Sequence, residues 1–231
     1  MSITDNLKTV RDELAQALRN AGREPSEVLL LPVSKTKPEA DILELYKAGQ
    51  RDSGENHVQE LKEKHEHLPK DIRWHMIGHL QRNKVKYIAE YVSMIHSVDT
   101  RELADTIEKE AAKYDRVISV LLEVNAGGEK SKFGVSPEAA PELASYIFRL
   151  PHVKLEGLMT SAPYVEDTEQ IRPVFKVMRQ LMIDINLKNH NNKMTVLSMG
   201  MSNDYRVAAE EGSTCVRIGT SIFGKRDYSK D

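Results

Sequence analysis

Short, continuous apolar runs alternate along the chain with longer segments whose apolar residues recur at helical spacing. The first long segment, Ile3–Ala21, is a charged amphipathic helix. Val28–Val33 (VLLLPV) reads as a short buried strand. Pro38–Gly49 is a helix, opened by a proline in its first turn and stopped by a glycine. Gln50–Ser53 is a strand leading into a helix from Asn56 to His67. Arg73–Ile77 is a strand and Gln81–Tyr91 a helix. Met94–Val98 follows as a strand, and Asp99 or Thr100 caps a helix running to Tyr114. Val117–Val124, rich in β-branched residues, is the clearest strand. Pro137–Leu150 is a helix, Val153–Leu158 a strand, and Asp167–Lys188 a long helix. Met194–Leu197 and Thr214–Ile218 are the last strands, with Asn203–Glu211 as the helix between them.

About eight strands with seven helices between them is the count of a (β/α)8 TIM-type barrel. Little chain remains after the last strand for an eighth helix, so the expectation is that Ile3–Ala21 fills that place. An open doubly wound sheet is the alternative, but the GxGxxG fingerprint after a first strand is absent. With no linker-like tract, low-complexity segment or internal repeat, residues 1–231 read as a single α/β domain.

The 231 residues are enough for one sizeable core. Charge is nearly balanced, at −2, which gives no electrostatic case for nucleic acid or membrane binding. No apolar run approaches a membrane span, and the N-terminus has no signal-peptide core. The lone Cys215 excludes an intramolecular disulfide, reads as a buried structural thiol, and fits a reducing, cytoplasmic setting.

Candidate chemistry falls just after the strands, where barrel sites are built. Two small-residue turns, Ser198-Met199-Gly200-Met201-Ser202 and Arg217-Ile218-Gly219-Thr220-Ser221, follow the last two strands and suit a phosphate group held by backbone N–H groups and hydroxyls. Lys35 ends the first strand. A lysine in a low-dielectric setting has a lowered pKa and can form an imine with an aldehyde, whereas the ordinary alternative is a solvated loop lysine. An aldehyde that also carries a phosphate, as pyridoxal phosphate does, would join Lys35 to both turns. Lys37, directly before a proline-started helix, reads as solvent-facing. Arg217 sits in an apolar strand, so it either faces a ligand or is held in a structural ion pair, with Glu55 as one partner to consider. His75 alternates with Trp74 and Met76. A lone inward histidine is ordinarily a hydrogen-bonded core residue. His57, His65 and His67 read as surface. No metal spacing, GxSxG or P-loop motif is present.

Taken together, LPVSKTKP around Lys35, GENHVQE from Gly54, WHMIGHLQRNK from Trp74, KSKFGV from Lys130, GLM from Gly157, LSMGMSND and GSTCVRIGTSIFGKR resemble the YggS/PROSC family of pyridoxal phosphate homeostasis proteins. These motifs span nearly the whole chain in order. The resemblance implies a barrel like the N-terminal domain of alanine racemase, with pyridoxal 5'-phosphate (PLP) bound to Lys35 as a Schiff base. It places Ser198, Gly200, Gly219 and Thr220 at phosphate-binding positions and Arg217 opposite the pyridine nitrogen. Asn56 and His75 match positions lining the cofactor pocket, and Met199 and Met201 fall in the same loop. Ser53, His57 and Pro32 depart from residues frequent in the family.

The resemblance implies a carrier that buffers or delivers PLP, with apo-enzymes as recipients and a monomeric state. An arginine facing the ring nitrogen makes the ring a weaker electron sink, and no convincing second general base is visible. The alternatives are a single-domain racemase or lyase and a cofactor-free sugar-phosphate isomerase. Lys132 and Lys225 are further lysines at which a second, looser cofactor molecule would be sought.

Overall fold

A computed structural model describes residues 2–129, 131–189 and 193–224. Lys130 and Lys225 lie outside the described residues. Eight parallel strands follow the order β1-β8-β7-β6-β5-β4-β3-β2. They are β1 (Leu29–Pro32), β2 (Asp52–Glu55), β3 (Arg73–Met76), β4 (Met94–Val98), β5 (Ile118–Glu123), β6 (Val153–Met159), β7 (Val196–Ser198) and β8 (Cys215–Ile218). A bridge between Val33 and Gly54, with Ser34 N–H donating to the Gly54 carbonyl at 3.1 Å, joins the two ends of this order and nearly closes the barrel.

Between and after the strands lie α2 (Glu39–Lys47), α3 (Val58–His67), α4 (Arg101–Ala112), α5 (Ala140–Ile147), α6 (Arg172–Lys188), α7 (Tyr205–Glu210) and α8 (Thr220–Phe223), preceded by α1 (Ile3–Asn20). Ser2 starts α1 with a reciprocal cap: its hydroxyl accepts from Asp5 N–H, and the Asp5 carboxylate accepts from Ser2 N–H. Leu7, Val10, Leu14 and Leu18 then fall on one buried face. They pack on Leu30 of β1, Val216 and Ile218 of β8, Tyr205 and Ala209 of α7, and Ile222 and Phe223 of α8. The N-terminal helix therefore covers the β8–β1 seam, as expected, but it shares that place with α8, a single turn the sequence reading did not foresee.

Three helix expectations change. The segment expected as a helix over Gln81–Tyr91 is a 3-10 turn at Arg82–Tyr87 followed by isolated turns. Asn83, Val85 and Tyr87 have weak helix preference, and short turns bury Val85, Ile88, Ala89 and Val92 equally well. Asp167–Lys188 opens as a 3-10 turn at Thr168–Ile171, because Pro173 lacks an N–H and must sit in the first turn of α6. Pro141 likewise delays α5 to Ala140. Thr100, rather than Asp99, caps α4, accepting from Leu103 N–H at 3.2 Å. The second strand lies two residues later than expected, at Asp52–Glu55, because pairing with β3 rather than the intrinsic preference of Asp-Ser-Gly-Glu sets its register.

Candidate functional site

Two adjoining cavities open around the carboxyl ends of the strands. The smaller, about 350 Å³, is lined by Lys35, Asn56, Arg217 and the loop residues Met201–Asn203 and Gly219–Thr220. The larger, about 640 Å³, is lined by His79, Glu123, Asn125 and Lys132 among others. Asn56, Ile77 and Ser161 line both, so they form one mouth.

Lys35 is half-buried and follows β1 in a turn pinned on both sides. Before it, the Ser34 carbonyl accepts from Lys64 Nζ at 2.7 Å, and the Ser34 hydroxyl contacts Glu55 and Ser53. After it, Thr36 has φ of +62°, and its N–H donates to Glu60 Oε1 at 2.6 Å. Lys64 also pairs with Glu55 at 2.8 Å and Glu60 at 2.7 Å. A buried Glu55–Lys64–Glu60 cluster on β2 and α3 thus fixes the backbone on either side of Lys35. Burial raises the Glu55 carboxyl to about 7, an effect that Lys64 only partly offsets. Lys37, expected in solvent, instead donates to the Phe223 and Gly224 carbonyls at the end of α8.

Arg217 is buried and reaches the cavity from β8. Its guanidinium donates to Ser198 Oγ at 2.6 Å and to the Thr160 carbonyl at 2.8 Å. The Glu55 pairing considered from sequence does not form: Glu55 meets Lys64 of α3, on the opposite side of β2 from the barrel axis. Asn56 is held against the next loop by Gly78. A Cβ at Gly78 would stand 2.3 Å from the Asn56 carbonyl oxygen.

The remaining candidates divide. Met201, Gly219 and Thr220 line the cavity with Lys35, Asn56 and Arg217. Ser198, Met199 and Gly200 are buried beneath it: the Ser198 hydroxyl is engaged by Arg217 and His96, Met199 packs in the core, and Gly200 (φ +98°) lets α7 approach, since a Cβ there would lie 2.7 Å from that of Ala208. His75 also lies in the barrel interior, where Nε2 meets Asp52 Oδ1 at 3.1 Å and Nδ1 meets His96 Nε2 at 3.0 Å. His57 and His67 are exposed, while His65 is partly buried and stacks on Tyr91. Lys132 Nζ donates to the Ser161 and Ala162 carbonyls and pairs with Glu129.

Asp52, Lys64, His96 and Glu123 escaped the sequence reading. Lys64 interrupts the apolar stripe Leu61–Leu68, and Asp52 shares its face of β2 with inward Gly54; both were available signals. Glu123 ends an apolar strand. Burial, with Asp99 nearby, raises its carboxyl to about 7, and its Oε2 has no hydrogen-bond partner among the described residues.

The family described as "Alanine racemase, N-terminal domain" matches residues 6–227. A pyridoxal phosphate homeostasis protein of Aquifex aeolicus is 47% identical over 99% of this chain and 100% of its own, and that of Escherichia coli is 41% identical over 99% and 98%. The chain belongs to the family of pyridoxal phosphate homeostasis proteins. Among solved structures, PipY of Synechococcus elongatus with PLP bound is 32% identical to this family member, with a TM-score of 0.84, over 96% of this chain and 100% of that one. Alanine racemase of Clostridium difficile shares the fold alone: it is 16% identical with a TM-score of 0.72, and the match covers 97% of this chain and 58% of the racemase.

Proposed function

We propose that this protein binds PLP in the smaller cavity and serves to buffer or deliver it. The observation that carries this reading is the joint lining of one 350 Å³ space by a lysine amine, a buried guanidinium and two small-residue loops. That volume lies within the range of ligand pockets, about 300–1,000 Å³. The groups fit the parts of the cofactor: Lys35 for its aldehyde, Met201–Asn203 and Gly219–Thr220 for its phosphate, Arg217 for its ring nitrogen. Bound there, the cofactor would supply an aldehyde that condenses with Lys35 Nζ, releasing water. The pinned turn presents Lys35, and Asn56 forms the wall shared with the larger cavity. The open mouth gives amines and apo-enzymes access to the same face, which supports a carrier.

Burial pushes the Cys215 thiol up to about 11, so it stays protonated and unreactive. No helix among the described residues is long and apolar enough to cross a membrane. A monomer is the simplest state for a carrier with an open mouth.

The test is the visible absorption spectrum of the purified protein with added PLP, before and after borohydride. Wild type should show the band of the condensed cofactor, fixed by reduction onto Lys35. Lys35→Ala should show none, and a band that survives this substitution sinks the assignment.

Glu123 favours a second reading. Its carboxyl near 7 borders the same mouth and has the proton affinity of a general base, as a racemase or lyase would need. Solvent exchange of amino-acid α-protons by PLP-loaded protein, lost in Glu123→Gln, would support catalysis. Absence of exchange in wild type supports the carrier.

A further inference from the structure

Arg217 is a buried cation that donates to a hydroxyl and a backbone carbonyl; among the described residues no carboxylate is in ion-pair contact with it, although those of Asp204 and Glu123 lie near enough to favour its charge. A buried guanidinium is costly unless its charge is balanced. Fixing its orientation falls to its neutral partners, and one of these leads across the barrel. Ser198 Oγ, which accepts from Arg217, lies 3.1 Å from His96 Nδ1; His96 Nε2 lies 3.0 Å from His75 Nδ1; His75 Nε2 lies 3.1 Å from Asp52 Oδ1. The chain of contacts runs from β8 through β7, β4 and β3 to β2, and no member is more than 7% exposed. Its far end, Asp52 with Arg73, borders a separate cavity of about 490 Å³ beside α1.

The chemistry of the members sets the direction. Arginine only donates and an ionised carboxylate only accepts. If Ser198 passes its one proton to His96 Nδ1, then His96 carries its proton on Nε2 and donates to His75 Nδ1. His75 in turn carries its proton on Nε2 and donates to Asp52. Every link is then satisfied with both imidazoles neutral. Reversing the direction with neutral rings would set His75 Nε2 and Asp52 as two acceptors facing each other. Burial, with Arg217 and His75 nearby, pushes the His96 pKa well down, in keeping with a neutral ring.

We propose that Asp52, His75, His96 and Ser198 are positioning residues for Arg217, forming a one-way hydrogen-bond relay that orients the guanidinium from the opposite side of the barrel. The relay rests on Arg217 as a cofactor-facing group only for its effect on binding; the relay itself is a property of the protein alone. Aligned hydrogen bonds polarise one another, so a change at Asp52 is felt at the guanidinium four links away.

The experiment has two arms. In the first, nitrogen-15 NMR of histidine-labelled full-length protein without ligand reads the ring tautomers. Both His75 and His96 should be neutral with the proton on Nε2. A proton on His96 Nδ1, or a cationic His75, reverses the direction and overturns the relay. In the second, PLP is titrated into wild type, Asp52→Asn, Ser198→Ala and the double variant, followed by the visible band. Each single variant should weaken binding about tenfold, and the double variant should also stay near tenfold, because both cuts lie on one chain. A double variant weakened about a hundredfold means independent sites and overturns the relay. Loss of the His96 Nε2–H tautomer in Ser198→Ala supports it in a way general destabilisation would not. If wild type itself shows no band, the cofactor reading fails, and the tautomers alone decide the relay.

Discussion

At the residue scale, Asp52 shows how a buried charge reports on its neighbours. Burial alone would raise its pKa, but hydrogen bonds from His75 and Arg73 outweigh that and hold the carboxyl at about 2. A carboxylate with a depressed folded pKa contributes stability above its unfolded value, and that contribution is lost as pH falls through the folded one. Asp52 should therefore contribute about 2 kcal/mol at neutral pH, fading between about pH 4 and pH 2. Urea unfolding of wild type and Asp52→Asn across this range should show a gap that closes on acidification. A gap independent of pH would mean that the carboxylate charge is not what stabilises. The inward face of Asp52 was open to reading from strand alternation, but its link to His96 was not, because a relay needs residues from several strands at one level of the barrel. No spacing along the chain encodes that level.

Among the elements, the β2–α3 unit prepares the turn that carries Lys35. Lys64 holds the Ser34 carbonyl and pairs with Glu55 and Glu60 at once. Lys64→Met would leave Glu55 buried and unpaired, at a cost of about 3 kcal/mol. Lys64→Met combined with Glu55→Gln should recover much of that loss, since replacing a whole buried pair costs far less than breaking it. Equilibrium denaturation of Lys64→Met, Glu55→Gln and the double variant separates these outcomes; a double variant whose loss equals the sum of the two single losses would show that the pair is not coupled. The loop motif LPVSKTKP was legible as a site from sequence, whereas its support showed only as a lysine interrupting an apolar stripe, with no sign of what it meets. Lys64 lies in a helix whose polar residues otherwise face water, and only docking on β2 buries it.

For the whole molecule, α1 completes the helical layer by covering the paired strands β8 and β1. Leu18 is fully buried there. Leu18→Ala should cost about 3 kcal/mol, through lost apolar burial and a residual cavity. That loss corresponds to a fall in melting temperature of about 6–12 °C. Leu187→Ala, at a side chain 64% exposed on α6, should change stability by less than about 0.5 kcal/mol. Comparable losses in both variants, measured by thermal unfolding, would contradict this placement of the core.

The sequence alone determined the alternation of strands and helices, the barrel count and the small-residue turns at the strand ends, and its motifs placed Lys35 and Arg217 in a family. These are local properties: apolar period, proline and glycine punctuation, and residue types with intrinsic chemistry. The tertiary structure decided which candidates share a cavity. It moved Ser198, Met199, Gly200 and His75 beneath the mouth, brought Lys37 onto α8, and separated Glu55 from Arg217 by putting it on the other side of β2. Strand register and closure set these relations, and both depend on pairing between segments far apart in the chain. A single strand's pattern specifies which face is buried, but not what it meets there.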